Sequence, residues 1–158
     1  MSHLPDRKQL PHGIPLWASS GSCYFITLCA NPKGRNQLAQ PIIANAIFES
    51  FLFNMNRGTW WADLLVLMPD HLHALMYFAP DAGIKKSITT WKHYISRSCH
   101  IDWQRDFFEH RLRNDENYTE KASYIRMNPV RAELACSPDE WPYAWTFEKD
   151  GEVRRSGD

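Results

Sequence analysis

The sequence predicts an α+β domain built on an antiparallel sheet. Three observations support this. Aromatic and β-branched runs alternate with segments of helical period. Two of the strand-like runs are separated only by a Pro-Asp break, which makes them a hairpin. The 158 residues suit one hydrophobic core. Apolar residues at 44% and aromatics at 13% exclude a disordered chain. No apolar run reaches the roughly 18 residues of a membrane span, and residues 1–8 lack the apolar stretch of a secretory leader.

Residues 1–21 carry Pro5, Pro11, Pro15, Gly13 and Gly21 and read as an extended arm. Arg7, Lys8, Lys33 and Arg35 against Asp6 make the region mildly basic. Residues 22–145 form the single domain. Residues 146–158 are polar and read as a flexible tail. Within the domain, residues 23–30 (CYFITLCA) form the first strand, closed by Asn31-Pro32-Lys33-Gly34. Residues 41–57 form a helix with Pro41 in its first turn and Gly58 just past its end. Its apolar residues cover more than one stripe, so it is deeply buried or has a second partner; a homodimer and a monomer are equally allowed.

Residues 59–68 and 71–79 form the hairpin. Residues 84–100 form a second helix and residues 107–113 a fourth strand. Residues 114–128 form a third helix, with Asn114 or Asp115 as N-cap and Pro129 as its interruption. The order is strand, helix, strand, strand, helix, strand, helix. That is the ferredoxin-like split βαβ pattern with a C-terminal helix added.

Four cysteines, Cys23, Cys29, Cys99 and Cys136, include no Cys-x-x-Cys pair and read as buried reduced thiols of a cytosolic protein. Strand alternation places Leu72, Ala74, Met76 and Phe78 on one face, and His71, His73, Leu75 and Tyr77 on the other. Two imidazoles two residues apart can bracket one metal ion, or be two half-exposed histidines. Polar rings beside an apolar strand need a partner in either case. Tyr124 and Asn128, four apart, share a helix face. A phenol can act as a covalent nucleophile and an amide oxygen suits a hard cation. A core tyrosine and a helix-ending asparagine fit the same spacing.

Taken together, these segments are recognisable. Met68-Pro69-Asp70-His71-Leu72-His73 resembles the His-hydrophobic-His motif of single-tyrosine transposases. Tyr124-Ile125-Arg126-Met127-Asn128-Pro129-Val130-Arg131-Ala132 resembles the tyrosine-helix signature of the REP-associated tyrosine transposases. Tyr24 to Thr27, Trp103 to Arg113 and Trp141-Pro142 are similar to further stretches of that family, in order, so the resemblance spans residues 20–145. Glu133 departs from the glycine frequent there.

The resemblance implies the ferredoxin-like fold, with Tyr124 as nucleophile and His71, His73 and Asn128 as ligands of Mg²⁺ or Mn²⁺. The ligand types alone also suit Zn²⁺ or Ni²⁺. It implies an enzyme that cleaves and rejoins single-stranded DNA at repetitive palindromic hairpins through a 5′-phosphotyrosine. A silent hairpin-binding protein of the same fold and a water-using phosphodiesterase are the rivals. The implied location is bacterial cytoplasm, at the nucleoid, with no membrane partner.

The second helix shows an apolar face and a basic one. Lys86, His93, Arg97 and His100, flanked by Lys85 and Lys92, read as a phosphate-contacting stripe or as an ordinary solvated face. Arg105, Arg111, Arg113, Arg126 and Arg131 are further backbone-contact candidates, with nearby aromatics as stacking surfaces. The net charge is zero, but seven basic against three acidic residues fall in 85–113, and the reverse in 133–158. This predicts binding by shape and base contacts more than by bulk charge.

Overall fold

The structure is a computed structural model that describes residues 9–157. Arg7 and Lys8 of the expected arm, with the rest of residues 1–8 and Asp158, lie outside the described residues. The helices are α1 (Leu16–Ser19), α2 (Pro41–Arg57), α3 (Ile84–Cys99) and α4 (Asp115–Arg131). The strands are β1 (Cys23–Asn31), β2 (Trp60–Leu67), β3 (His71–Phe78), β4 (Asp102–Trp103), β5 (Phe108–Leu112), β6 (Ala144–Phe147) and β7 (Val153–Arg155). They form one antiparallel sheet in the order β4-β1-β3-β2-β6-β7, with β5 also paired to β1. Insertion of β3 between β1 and β2 is what splits the βαβ unit. The α+β, ferredoxin-like reading therefore holds.

Local chemistry explains the main elements. Pro41 opens α2, and Gly58 ends it in the left-handed conformation, φ 78°, that favours glycine. Asn114 is the cap of α4: its side chain accepts from Asn117 N at 2.9 Å. Of the broad apolar surface of α2, most is buried, while Ile42 and Phe53 remain exposed.

Four expectations need correction. The 146–158 segment is not a loose tail; its polar residues alternate with Phe147 and Val153, which are buried, and β6 pairs with β2. The arm is not simply extended. It contains the helical turn α1 and lies against the β6–β7 hairpin through Leu10 N to Gly151 O and Ile14 N to Lys149 O, both 2.8 Å. Gly151 adopts φ +94°, and a Cβ there would lie 2.7 Å from His12 O, so the close approach of the arm requires glycine. Pro129 does not interrupt α4, which runs on to Arg131. Proline removes one N–H, and so close to the C-terminus the helix continues past it. Finally, Cys136 is exposed, and Cys29 and Cys99 are only half-buried; all four thiols are free.

The sheet separates two cores. On one face α2 and α3 pack over Ile26, Leu28, Leu65, Leu72, Ala74 and Met76. On the other, α4 packs through Ala122 and Ile125 over Phe25, Leu64, Val66 and Leu75.

Candidate active site

The two histidines enter from β3, at the end nearest the Pro69-Asp70 turn, on the α4 face. The β1 register sets Thr27 opposite His73 and Cys29 opposite His71. Each ring is oriented through Nδ1. His71 Nδ1 donates to Asp70 Oδ1 at 2.8 Å, and Thr27 Oγ1 lies 2.9 Å from His73 Nδ1. Asp70 also accepts from Gly34 N at 2.8 Å, which ties the turn to the loop after β1. Burial pushes the Asp70 carboxyl up, but the Gly34 amide and His71 outweigh it and hold it below the usual value.

His73 is 7% exposed. Burial, reinforced by the charges of His71 and Arg131, pushes its imidazole down to about 3, so the ring is neutral at physiological pH. The two rings stand 4.9 Å apart at 76°. Asn128 reaches across from α4, with its amide 3.4 Å from His71 Nε2.

Tyr124, one turn earlier, is 50% exposed, and its ring lies 6.4 Å from that of His73. Arg131 lies 4.1 Å over the Tyr124 ring and donates to the Tyr124 carbonyl. Lys121 lies 5.8 Å from the same ring. A cavity of about 390 Å³ is bounded by His71, His73, Tyr124, Asn128, Asp70 and Lys33.

These donors fit a divalent ion. Nδ1–H bonding to a neighbouring oxygen leaves the Nε2 lone pair for a metal, the usual arrangement of ligating histidines. Asn128 adds an amide beside His71, and amide oxygen and nitrogen are interchangeable by a flip. Among the described residues no group of three or more His, Cys, Asp or Glu forms a metal cluster.

The chain is similar to known proteins in both sequence and fold. It is 30% identical over 90 residues to the "REP-associated tyrosine transposase" of Escherichia coli K12, covering 54% of this chain and 53% of that protein. A Haemophilus influenzae protein provisionally given the same name is 23% identical over 150 residues, covering 84% and 83%. Its named relatives are REP-associated tyrosine transposases. The chain thus spans about half the length of the first of these. A solved REP-associated tyrosine transposase bound to a REP hairpin superposes with a TM-score of 0.69 at 21% identity, over 78% of this chain and 76% of that one. No protein-family model matches.

Of the residues expected from the resemblance to REP-associated tyrosine transposases, His71, His73, Tyr124 and Asn128 are brought together, and Arg131 joins them. The remaining basic residues are not. Lys85, Lys86, His93 and Arg97 lie exposed on α3, across the sheet from the histidines. Lys92 ties α3 to the β4–β5 connection, since its Nζ donates to Gln104 O at 2.7 Å and Arg105 O at 3.0 Å and lies over Phe107. Arg105, Arg113 and Arg126 are exposed, and Arg111 alternates away from the α4 face. A larger groove of about 870 Å³ runs between α2 and α3 and touches Lys86, but none of the site histidines, Tyr124 or Asn128.

Sequence reasoning missed Thr27, Asp70 and Lys121. Asp70 precedes His71 directly, and a carboxylate beside a candidate ligand histidine was the available signal. Thr27 could be found only from the β1–β3 register.

Proposed function

We propose that this chain is a REP-associated tyrosine transposase that cleaves and rejoins single-stranded DNA at palindromic hairpins. The observation that carries the reading is the meeting of Tyr124 and Asn128 of α4 with the oriented His71–His73 pair of β3. His71, His73 and Asn128 would hold Mg²⁺ or Mn²⁺, which when bound polarises the scissile phosphate.

The protein's own groups account for the rest. The Tyr124 phenol, half exposed at the cavity, bonds to phosphorus and loses its proton. The bond from phosphorus to the 3′ oxygen breaks, and that oxygen takes up a proton as the free 3′-OH. The 5′ phosphate stays on Tyr124. One ester replaces another, so the 3′-OH can reverse the step. Arg131 and Lys121 flank the ring where phosphate charge arrives, and Arg131 also fixes the local backbone. Such a protein acts in the cytoplasm at the nucleoid; among the described residues no helix is long and apolar enough to cross a membrane.

The test is an SDS-resistant protein–DNA adduct, with Mg²⁺ or Mn²⁺ and hairpin oligonucleotides from palindromes beside the gene. Wild type should form it. Tyr124→Phe should form none, because phenylalanine has no oxygen to bond to phosphorus. His71→Ala and His73→Ala should lose cleavage and keep hairpin affinity. A wild-type protein that binds the hairpin but forms no adduct would be a silent binder. Cleavage by Tyr124→Phe at the wild-type rate would make water or another residue the nucleophile.

A further inference from the structure

We propose that Phe108 and His110 on β5 form a stacking platform for an unpaired nucleobase next to the phosphate that Tyr124 attacks, with Lys121 contacting the connecting backbone. This inference rests on the reading given under Proposed function and names the part of the substrate that the reading leaves open.

Strand alternation sends Phe108, His110 and Leu112 to the α4 face of the sheet. Leu112 is buried in the small core there, whereas Phe108 is 54% exposed. The Phe108 and His110 rings lie 6.4 Å apart and within 22° of parallel.

The platform is continuous with the site. Phe108 meets Phe25 edge-on at 5.7 Å, and Phe25 stacks on His73 at 5.3 Å and 19°. Phe25 is buried, so its position is set by the core. A row of rings therefore leads from the histidine pair outward to the sheet edge.

A cation spans the same interval. Lys121 Nζ lies 5.4 Å from the Phe25 ring and 5.8 Å from the Tyr124 ring. No carboxylate among the described residues pairs with it. An exposed aromatic beside an uncommitted cation is the combination that holds single-stranded nucleic acid: bases stack on the ring and the charge follows the backbone. Bases stacked inside a duplex offer no free face to such a ring, and the row of rings joins it to Tyr124, so the ligand we assign is the unpaired flank beside the attacked phosphate.

The experiment uses the full chain and a DNA hairpin whose single-stranded flanks carry 5-iododeoxyuridine at one position at a time. Irradiation should crosslink one flank position to the peptide holding Phe108 and His110. Phe108→Ala should weaken binding of the flanked hairpin by roughly ten- to a hundredfold, the loss of one base–aromatic stack. It should leave binding of the same stem without flanks unchanged, and Phe108→Trp should restore the flanked affinity. Equal loss with and without flanks, or crosslinks confined to other segments, overturns the platform. If wild type still forms the Tyr124 adduct while Phe108→Ala binds normally, the platform alone fails. A crosslink at Phe108 without any adduct supports the platform and overturns the cleavage reading.

Discussion

The two faces of the sheet are held by different forces. Under α2 and α3 the core is thick and aromatic: Phe48 stacks on Trp145 at 5.0 Å, and Phe51 meets Trp60 at 5.1 Å and Trp91 at 5.5 Å. That face even buries the indole N–H groups of Trp60, Trp103 and Trp145 with no acceptor among the described residues. Under α4 the apolar contact is slight, with only Ala122, Ile125 and Pro129 buried on the helix. Polar contacts take over there. Asp63, on the strand where the β2–β3 register shifts between Ala62 and Leu64, accepts from Tyr118 of α4 at 2.8 Å, Tyr77 at 3.2 Å and Trp61 at 2.9 Å. The aromatic packing is thus concentrated on one face, while the other keeps a helix with few buried apolar residues aligned over two histidines.

The largest expected effect tests the thick face. Phe48→Ala should lower stability by about 3–5 kcal/mol, the usual result of emptying a packed aromatic site. Chemical denaturation should show this as one cooperative loss, with both faces unfolding together. A small change would mean that the aromatic layer is not the main source of stability.

A smaller effect tests the polar hold on α4. Asp63→Ala leaves three buried or half-buried donors without their acceptor and should cost about 1–3 kcal/mol. Hydrogen exchange should rise in α4 well before it rises in α2. Adduct formation should fall further than hairpin affinity, because Tyr124 and Asn128 both ride on α4. Uniform exchange in both helices would erase the distinction between the faces. Cys23 reports on the same region: burial, with the Asp63 charge, pushes its thiol up to about 12, so it should resist alkylation at neutral pH until α4 loosens.

The fold is legible where local chemistry and global pairing agree. Pro41 and Gly58 bracket α2, and the predicted ends coincide with the observed ones. The His71/His73 parity also follows from alternation, and both rings do face α4. What stays hidden depends on partners distant in sequence. Trp145, Phe147 and Val153 form strands because β2 offers an edge to β6, which composition of the tail does not reveal. The Asp63 network joins residues 55 positions apart. Helical spacing gives α3 a basic stripe without saying which side of the sheet it occupies. Both crossover helices of a split βαβ unit pack on one face, so the opposite parity of the histidines sets α3 apart from them.

The smallest expected effect concerns that same stripe. Lys85 and Lys86 are exposed on α3, beyond the thick core, whereas Arg131 and Lys121 stand at Tyr124. Neutralising both lysines, as Lys85→Gln with Lys86→Gln, should change stability by no more than about 0.5 kcal/mol, as for ordinary surface positions. It should also leave the salt dependence of hairpin binding almost unchanged. Each lost phosphate contact would lower the slope of log affinity against log salt by about 0.7–0.9. A drop near twice that value would place DNA on both faces and break the division. An unchanged slope, with a reduced one for Arg131→Gln, would confine the DNA to the α4 face, where the binding charge is sparse and the shape of the hairpin and its flank must supply the rest.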